Sequence, residues 1–131
     1  MVRTHARLRP DDIGAMDSRR SLSFVQWNQR ADLLAAGLLS QGLNPGDRVA
    51  VLAHNCIEWM EIYVALARAG LVALPINFRL VGHEIAYILA DAQAAALLCT
   101  ALLQDKVLDI LPTLGLKACV QMGGTTHAGW L

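Results

Sequence analysis

Two short polar stretches hold the residues that could bind a ligand or take part in catalysis. His54 stands beside Asn55, and a neutral imidazole can act as a general base. Asn77 and Arg79 form the second stretch, where an amide and a guanidinium could bind an anion. Each pair also has a structural alternative: His54 and Asn55 could cap a helix or face solvent, and Asn77 and Arg79 could order a loop. These residues alone identify no catalytic centre, and all four remain candidates for cofactor binding.

A stretch rich in glycine and threonine could bind phosphate through backbone N–H groups, at Gly123, Gly124, Thr125 and Thr126. No lysine follows in the sequence, so the Gly-Lys-Ser/Thr arrangement of a Walker motif is absent, and an ordinary loop explains the stretch as well. No metal site is predicted, because the four histidines do not stand at the spacing of a helical ligand pair. The three cysteines form no C-x-x-C pair and are expected to be reduced thiols: Cys56, Cys99 and Cys119.

Charge and composition argue against a nucleic-acid-binding protein and against a membrane-spanning one. Basic and acidic residues number 11 each in 131 residues, so the net charge is zero and nucleic-acid binding is not expected. The apolar fraction is high, at 55%. A membrane-spanning helix needs about 18 consecutive apolar residues, and the longest stretches without charged residues, 33–46 and 118–131, are shorter and contain glycine and polar side chains. We expect no transmembrane segment, no secretory signal and a cytoplasmic location.

Helix and strand signals alternate along most of the chain. Residues 15–24 suggest a short hairpin, and residues 24–41 a helix that begins with a Ser23–Gln26 capping box. Strands are predicted where short apolar runs lack polar alternation, which is typical of strands buried on both faces: 48–53, 71–75, 95–99 and 117–122. Helices are predicted between them, the first with Asn55 as N-cap and the last ended by Pro112: 55–70, 83–91 and 102–111.

This order of elements predicts an α/β fold. The sheet is expected to be a parallel βαβαβαβ arrangement with helices on both faces, preceded by the short hairpin and the capped helix. Ligands gather at the carboxyl ends of the strands in such sheets, which is where the polar stretches described above are expected. The glycine fingerprint of dinucleotide-binding folds does not follow the first strand, and this disfavours a free-standing nucleotide-binding protein.

Three segments resemble motifs of the adenylate-forming enzymes, the AMP-binding superfamily. Residues 22–28 resemble the pattern L-[ST]-[YF]-x-[EQ]-L near the start of these enzymes. Residues 46–59 resemble G-D-R-V-A-[VI]-x-x-x-N-S-x-E-[WF]. Residues 66–80 resemble L-x-[KR]-[AL]-G-x-x-x-x-P-[IL]-[ND], in the version with N-x-R-L that is typical of acyl-CoA synthetases. The resemblance covers about residues 20–124, in the family's order and spacing.

The resemblance implies the N-terminal portion of an ATP-dependent carboxylic acid–CoA ligase of the fatty-acyl or aryl-acid type. Such enzymes use ATP, Mg²⁺ and CoA and pass through an acyl-adenylate. The family's phosphate loop, its T-G-D aspartate and its catalytic lysine have no counterpart here, and Gly124, Thr125 and Thr126 echo the phosphate loop only superficially. We therefore expect no catalytic residue, no metal and no cofactor on this chain, and no activity from it alone.

The resemblance also sets the expected organisation and partners. Residues 1–14 would be a lead-in, and residues 15–131 a partial N-terminal domain of the ligase, with its α/β unit at about 46–124. The expected partners are the missing C-terminal portion of the enzyme and, in the full-length protein, a small-molecule carboxylic acid. The missing C-terminal portion would cover apolar surface of this chain. Because that surface is then exposed, the chain is also expected to self-associate. The alternative is a complete small α/β module that binds or assembles without catalysis.

Overall fold

The computed structural model describes residues 1–124 and 128–131. The chain begins with helix α1 (Val2–Leu8), followed by an antiparallel hairpin of β1 (Ile13–Met16) and β2 (Ser21–Ser23). The hairpin confirms the prediction for residues 15–24. Helix α1 lies within the predicted lead-in, and its Val2 side chain is buried, so the start of the chain is folded against the rest.

Helix α2 (Phe24–Ser40) begins with the capping box that the sequence predicts. The Ser23 hydroxyl accepts a hydrogen bond from the Gln26 N–H at 3.4 Å, and the Gln26 side chain accepts one from the Ser23 N–H at 3.0 Å. Two of the four N–H groups that a helix start leaves unpaired are satisfied in this way. The inner stripe of the helix is buried: Ala31, Ala35 and Leu38.

Four parallel strands form the main sheet: β3 (Arg48–Leu52), β4 (Val72–Ile76), β5 (Ala94–Thr100) and β6 (Ala118–Met122). Their order is β4-β3-β5-β6, which leaves β4 and β6 at the edges. Residues 49–52 of the inner strand β3 are fully buried, because a parallel sheet is covered on both faces. The predicted parallel α/β fold is confirmed.

Alternate strand residues enter two separate cores. Val51 and Leu98 pack under α2 and α3 (Glu58–Ala69) on one face. Leu52 and Leu97 pack under α4 (Gly82–Asp91) and the segment after β5 on the other. The twofold alternation of strand side chains produces this division. No helix in the described part of the chain is long and apolar enough to cross a membrane.

The α-helix predicted at 102–111 is wrong. Two 3-10 segments, Ala101–Lys106 and Leu111–Thr113, occupy this region. The Val107 N–H donates to the carbonyl three residues back, that of Gln104, at 2.8 Å, which is the 3-10 hydrogen bond, and Pro112 has no N–H with which to continue an α-helix. The first segment also lies close to α4, since a Cβ at Gly82 would stand 2.8 Å from the Lys106 carbonyl oxygen.

The predicted N-cap of α3 is also wrong. The helix begins at Glu58 rather than just after Asn55. Asp17 of the hairpin turn accepts a hydrogen bond from the Ile57 N–H at 3.2 Å, so a residue distant in sequence satisfies this helix start. The other end agrees with the prediction, because Gly70 has a φ of +70° and closes the helix in the left-handed conformation that glycine favours.

Candidate functional site

The structure places the four predicted site residues at the carboxyl ends of neighbouring strands. His54 and Asn55 follow β3, and Asn77 and Arg79 follow β4, which pairs with β3 in parallel. All four side chains are exposed. The topology therefore brings the two stretches to the same end of the sheet, because parallel strands all have their carboxyl ends there.

Phe78, which the sequence did not single out, joins the two stretches. Its ring centroid lies 4.5 Å from that of His54, with the ring planes at 50°. The Arg79 guanidinium carbon lies 5.5 Å from the same centroid, within range of a cation–π contact. His54 and Arg79 therefore both contact one aromatic ring, which holds their side chains by packing.

Asn77 makes a hydrogen bond within its own loop, and Asn55 lies beside a cleft. The Asn77 side-chain oxygen accepts a hydrogen bond from the Arg79 N–H at 3.0 Å, which orders the loop after β4. The His54 carbonyl accepts one from the Trp59 indole at 3.0 Å. Asn55 borders a shallow cleft whose other walls are mainly apolar, including Met60 and Tyr63. This geometry favours the structural alternative for Asn77, and a cofactor-binding role for the four residues stays a prediction.

A network of four charged residues nearby was missed by the sequence analysis. Glu61 on α3 is only 6% exposed. Its carboxylate accepts hydrogen bonds from Arg30 at 2.7 Å and from Arg20 at 3.4 Å, and Arg20 also binds Glu58 at 2.7 Å. Arg20 and Glu61 are 41 residues apart in sequence, so spacing could not reveal the pair. A glutamate on the buried stripe of a helix was the available signal.

This network borders a cleft of about 320 Å³ between α2, α3 and β6. Leu34, Ile62, Leu98 and Val120 supply apolar walls, while Arg30 and both glutamates supply the polar ones. Since every charged group of the network is already paired with an opposite charge, the cleft presents apolar surface next to a neutralised cluster.

Burial and hydrogen bonding shift the pKa values of Glu58 and of two thiols, Cys56 beside this network and Cys99 in the second core. Burial alone raises the pKa of Glu58, but hydrogen bonds from the Cys56 thiol, its own backbone and Arg20 outweigh that effect and lower the pKa overall. Burial and the neighbouring Glu58 raise the pKa of Cys56 to about 11, and burial raises that of Cys99 to about 12. Both thiols are therefore protonated at neutral pH, and neither is an activated nucleophile.

A second cleft, of about 310 Å³, lies at the carboxyl ends of β5 and β6. Arg19, Cys56, Thr100 and Gly124 line part of it. The Thr100 hydroxyl oxygen is buried and has no hydrogen-bond partner among the described residues. Thr125 and Thr126 lie outside the described residues, so their phosphate-binding hypothesis is not tested.

Several arginines are held in ion pairs between elements. Arg20, Arg30 and Arg68, which could bind phosphate, contact carboxylates in this structure. Within residues 1–124 and 128–131, no three histidine, cysteine, aspartate or glutamate side chains cluster as metal ligands.

Comparison with known proteins finds one matching family model and several relatives. The model of the family described as AMP-binding enzyme matches residues 2–128. A 3-oxocholest-4-en-26-oate–CoA ligase of Rhodococcus rhodochrous is 31% identical over 104 residues, which are 79% of this chain and 19% of the ligase. A feruloyl-CoA synthase of an Amycolatopsis species is 37% identical over 95 residues, which are 72% of this chain and 19% of the synthase.

The fold has solved counterparts. The anthranilate CoA ligase AuaEII, solved in complex with anthranoyl-AMP, superposes with a TM-score of 0.92 at 24% identity. The match covers 99% of this chain and 25% of that one. At this identity the likeness concerns the fold alone. The chain thus spans about a fifth to a quarter of the length of these relatives.

Proposed function

Because the chain belongs to the AMP-binding enzyme family, we propose that it forms the N-terminal portion of an ATP-dependent carboxylic acid–CoA ligase. The observation that carries the proposal is the family match over residues 2–128, nearly the whole chain. The two curated relatives are named for ligation of acids to CoA, and each is about five times longer than the part matched here.

The proposed reaction joins a carboxylic acid to CoA through an acyl-adenylate, with ATP and Mg²⁺. The acid is left open between the fatty-acyl and aryl types, since one relative is named for 3-oxocholest-4-en-26-oate and the other for feruloyl-CoA. None of the described residues is assigned a part in the chemical steps. Their proposed contribution is structural: one sheet of the larger enzyme, with the loops after β3 and β4 held in place.

The proposed organisation follows the same argument. Residues 15–131 would be a partial N-terminal domain with its α/β unit at about 46–124. Residues 1–14 would be a lead-in that folds onto this domain through α1, whose Arg3 reaches Asp32 of α2 at 3.5 Å. The proposed partners are the remainder of the enzyme and the carboxylic acid substrate.

The isolated chain tests the first part of the proposal. We expect no ATP–pyrophosphate exchange with a panel of fatty and aryl acids, because the phosphate-loop, T-G-D and catalytic-lysine motifs of the family have no counterpart in these 131 residues. Exchange above a protein-free blank would contradict this expectation. The matched control is the Amycolatopsis feruloyl-CoA synthase, assayed with ferulate under the same conditions.

The gene tests the second part. If the reading frame continues beyond Leu131 into the phosphate-loop and T-G-D motifs of the family, the longer product should catalyse exchange with at least one acid of the panel. A stop codon followed by unrelated sequence would favour the alternative of a small binding or assembly module.

A further inference from the structure

Charge is unevenly distributed along the chain, although the total is zero. Residues 1–10 contain three arginines and no acidic residue, whereas residues 80–116 contain four acidic residues and a single lysine or arginine, Lys106. These two segments have formal charges of +3 and −3, and the rest of the chain carries as many basic as acidic side chains. Two segments of opposite charge attract other charged surfaces even when the net charge is zero.

The basic segment forms an exposed surface on α1, the basic face, made of Arg3, Arg7 and Leu8. Arg3 and Arg7 are four residues apart and so lie on the same side of the helix, and Leu8 is 77% exposed. Within the described residues, Arg7 has no ion pair, and Arg3 reaches a carboxylate only at Asp32, at 3.5 Å. The Asp32 carboxylate also accepts a hydrogen bond from Arg68 at 2.8 Å. The basic face therefore keeps a surplus of positive charge.

The acidic segment forms a second exposed surface, the acidic face, on α4 and on the chain after β5. Tyr87 is 71% exposed and stands between the two carboxylates of α4, three residues after one and four residues before the other. None of the four carboxylates has an ion pair in the described part of the chain, and Lys106 donates to backbone carbonyls. The members of the acidic face are all exposed: Glu84, Tyr87, Asp91, Asp105 and Asp109.

The sheet separates the two faces within one molecule. Helix α1 is joined to α2 through Arg3 and Asp32, and α2 packs on the first face of the sheet. Helix α4 packs on the opposite face. One chain therefore cannot bring its own basic face to its own acidic face, whereas two copies can bring these surfaces together.

We propose that the basic face of one chain docks on the acidic face of a second copy. The charges of the two segments are equal and opposite, and each face has an exposed apolar or aromatic side chain, Leu8 or Tyr87, to contact the other. The contact is head-to-tail, because two different surfaces meet, so each pair leaves one face of each kind free to bind a further copy. Both faces are small, and we expect a weak, reversible association that does not depend on the proposed ligase function.

Ionic strength separates this contact from association through apolar surface. Sedimentation velocity of the 131-residue chain over a range of concentrations measures the association constant at low and high salt. We expect the constant to fall at least about tenfold between about 0.01 M and about 0.3 M NaCl, because the screening length shortens from about 30 Å to less than about 8 Å. A chain that stays monomeric at low salt would overturn the proposal, as would an association that salt leaves unchanged or strengthens.

Charge reversal of each face gives a sharper test. The double variants Arg3→Glu with Arg7→Glu and Asp105→Arg with Asp109→Arg should each associate at least about tenfold more weakly at low salt, because like charges then meet. Each variant keeps one unaltered face, and these two faces are complementary, so an equimolar mixture should again form pairs. A mixture that remains monomeric, while both variants unfold with a Tm near that of the unmodified chain, would contradict head-to-tail docking.

A matched control uses two exposed arginines that differ in position. Arg7→Glu alone should weaken association at low salt by about threefold or more, whereas Arg19→Glu, the same change in the hairpin turn, should weaken it by less than about twofold. Both side chains are exposed, so neither variant is expected to unfold the chain. Equal weakening by the two variants would mean that net charge, and not the basic face, controls association, and it would overturn the proposal.

Discussion

The two faces of the sheet bury similar apolar side chains but are held together by different polar contacts. On the first face, α2, α3 and the hairpin are joined by ion pairs between residues distant in sequence, among them Arg30–Glu61 and Arg68–Asp32. On the second face, cationic side chains donate to backbone carbonyls: Lys106 to those of Phe78 and Leu80 at 2.6 and 3.0 Å, and Arg48 to that of Ala92 at 3.0 Å.

This difference follows from the kind of element on each face. Two long α-helices satisfy their own backbone groups and present side chains, so charged side chains link them. The loop after β4 presents the carbonyls of Phe78 and Leu80, which accept hydrogen bonds from the ammonium of Lys106 at the end of the first 3-10 segment. Apolar burial stabilises both faces of the sheet, and the polar contacts hold the helices on one face and the loop on the other in place.

The largest losses of stability are expected from cavities in the two cores, and they test whether both cores are equally well packed. Ile62 on α3 and Ile85 on α4 are 1% and 0% exposed. Ile62→Ala and Ile85→Ala should each lower the free energy of unfolding by about 2–5 kcal/mol, because each leaves a cavity in a packed core. Urea unfolding followed by circular dichroism measures both. A loss below about 1 kcal/mol for Ile85→Ala alone would mean that the second core is loosely packed.

The next largest losses of stability are expected from removing the polar contacts that hold each face of the sheet. Lys106→Met should lower the free energy of unfolding by about 1–3 kcal/mol, because two carbonyl groups lose a charged donor. Arg30→Met should lower it by a similar amount, about 1–3 kcal/mol, because the Glu61 carboxylate is only 6% exposed and loses its shorter hydrogen bond, keeping the one from Arg20 at 3.4 Å. The same urea measurement applies to both variants. A loss below about 0.5 kcal/mol for Arg30→Met alone would mean that the ion pairs of the first face contribute less to stability than the Lys106 contacts of the second.

Acid should weaken the first face. Hydrogen bonds from the Arg19 and Arg20 N–H groups lower the pKa of Asp17, and the pKa of Glu58 is also lowered. The unfolded chain then binds more protons than the folded one, so stability is retained above the ordinary pKa values of 3.8 and 4.5 and is lost as pH falls below them.

The urea midpoint measured between neutral and acidic pH checks this expectation. Asp17→Asn should reduce the dependence on pH, because it removes one of the three carboxylates with a lowered pKa, which are Asp17, Asp47 and Glu58. A midpoint that stays constant down to the acid limit would show that none of these carboxylates contributes to folding.

The smallest effects are expected at the predicted site. His54→Ala and Arg79→Ala should each change the free energy of unfolding by no more than about 0.5 kcal/mol, since both side chains are exposed and each loses one contact with the Phe78 ring. A loss above about 1 kcal/mol would mean that these two side chains hold the loops after β3 and β4 in place.

Local signals predicted most of the fold correctly. The capping box at Ser23, the glycine stop at Gly70 and the fully apolar run of β3 each depend on residues close in sequence. The same reasoning failed where a distant group intervened. The Asp17 carboxylate bonds the start of α3 where Asn55 had been predicted as the cap, and the segment after β5 is 3-10 where helical spacing had predicted an α-helix.

The candidate site shows the same limit. Strand order placed His54 and Arg79 at one edge, but their contact through Phe78 depends on how the two loops close. The charged network could not be predicted, because its partners come from the hairpin, α2 and α3.

The sequence by itself determined the fold class, the family and most element boundaries, because capping, periodicity and motifs are local properties of the chain. Only the tertiary structure decided which charges pair, that the Asp17 carboxylate bonds the start of α3 in place of Asn55, and that Leu131 is hydrogen-bonded to the edge strand β6. These depend on contacts between segments that are distant in sequence, and such contacts are fixed only when the sheet and helices pack.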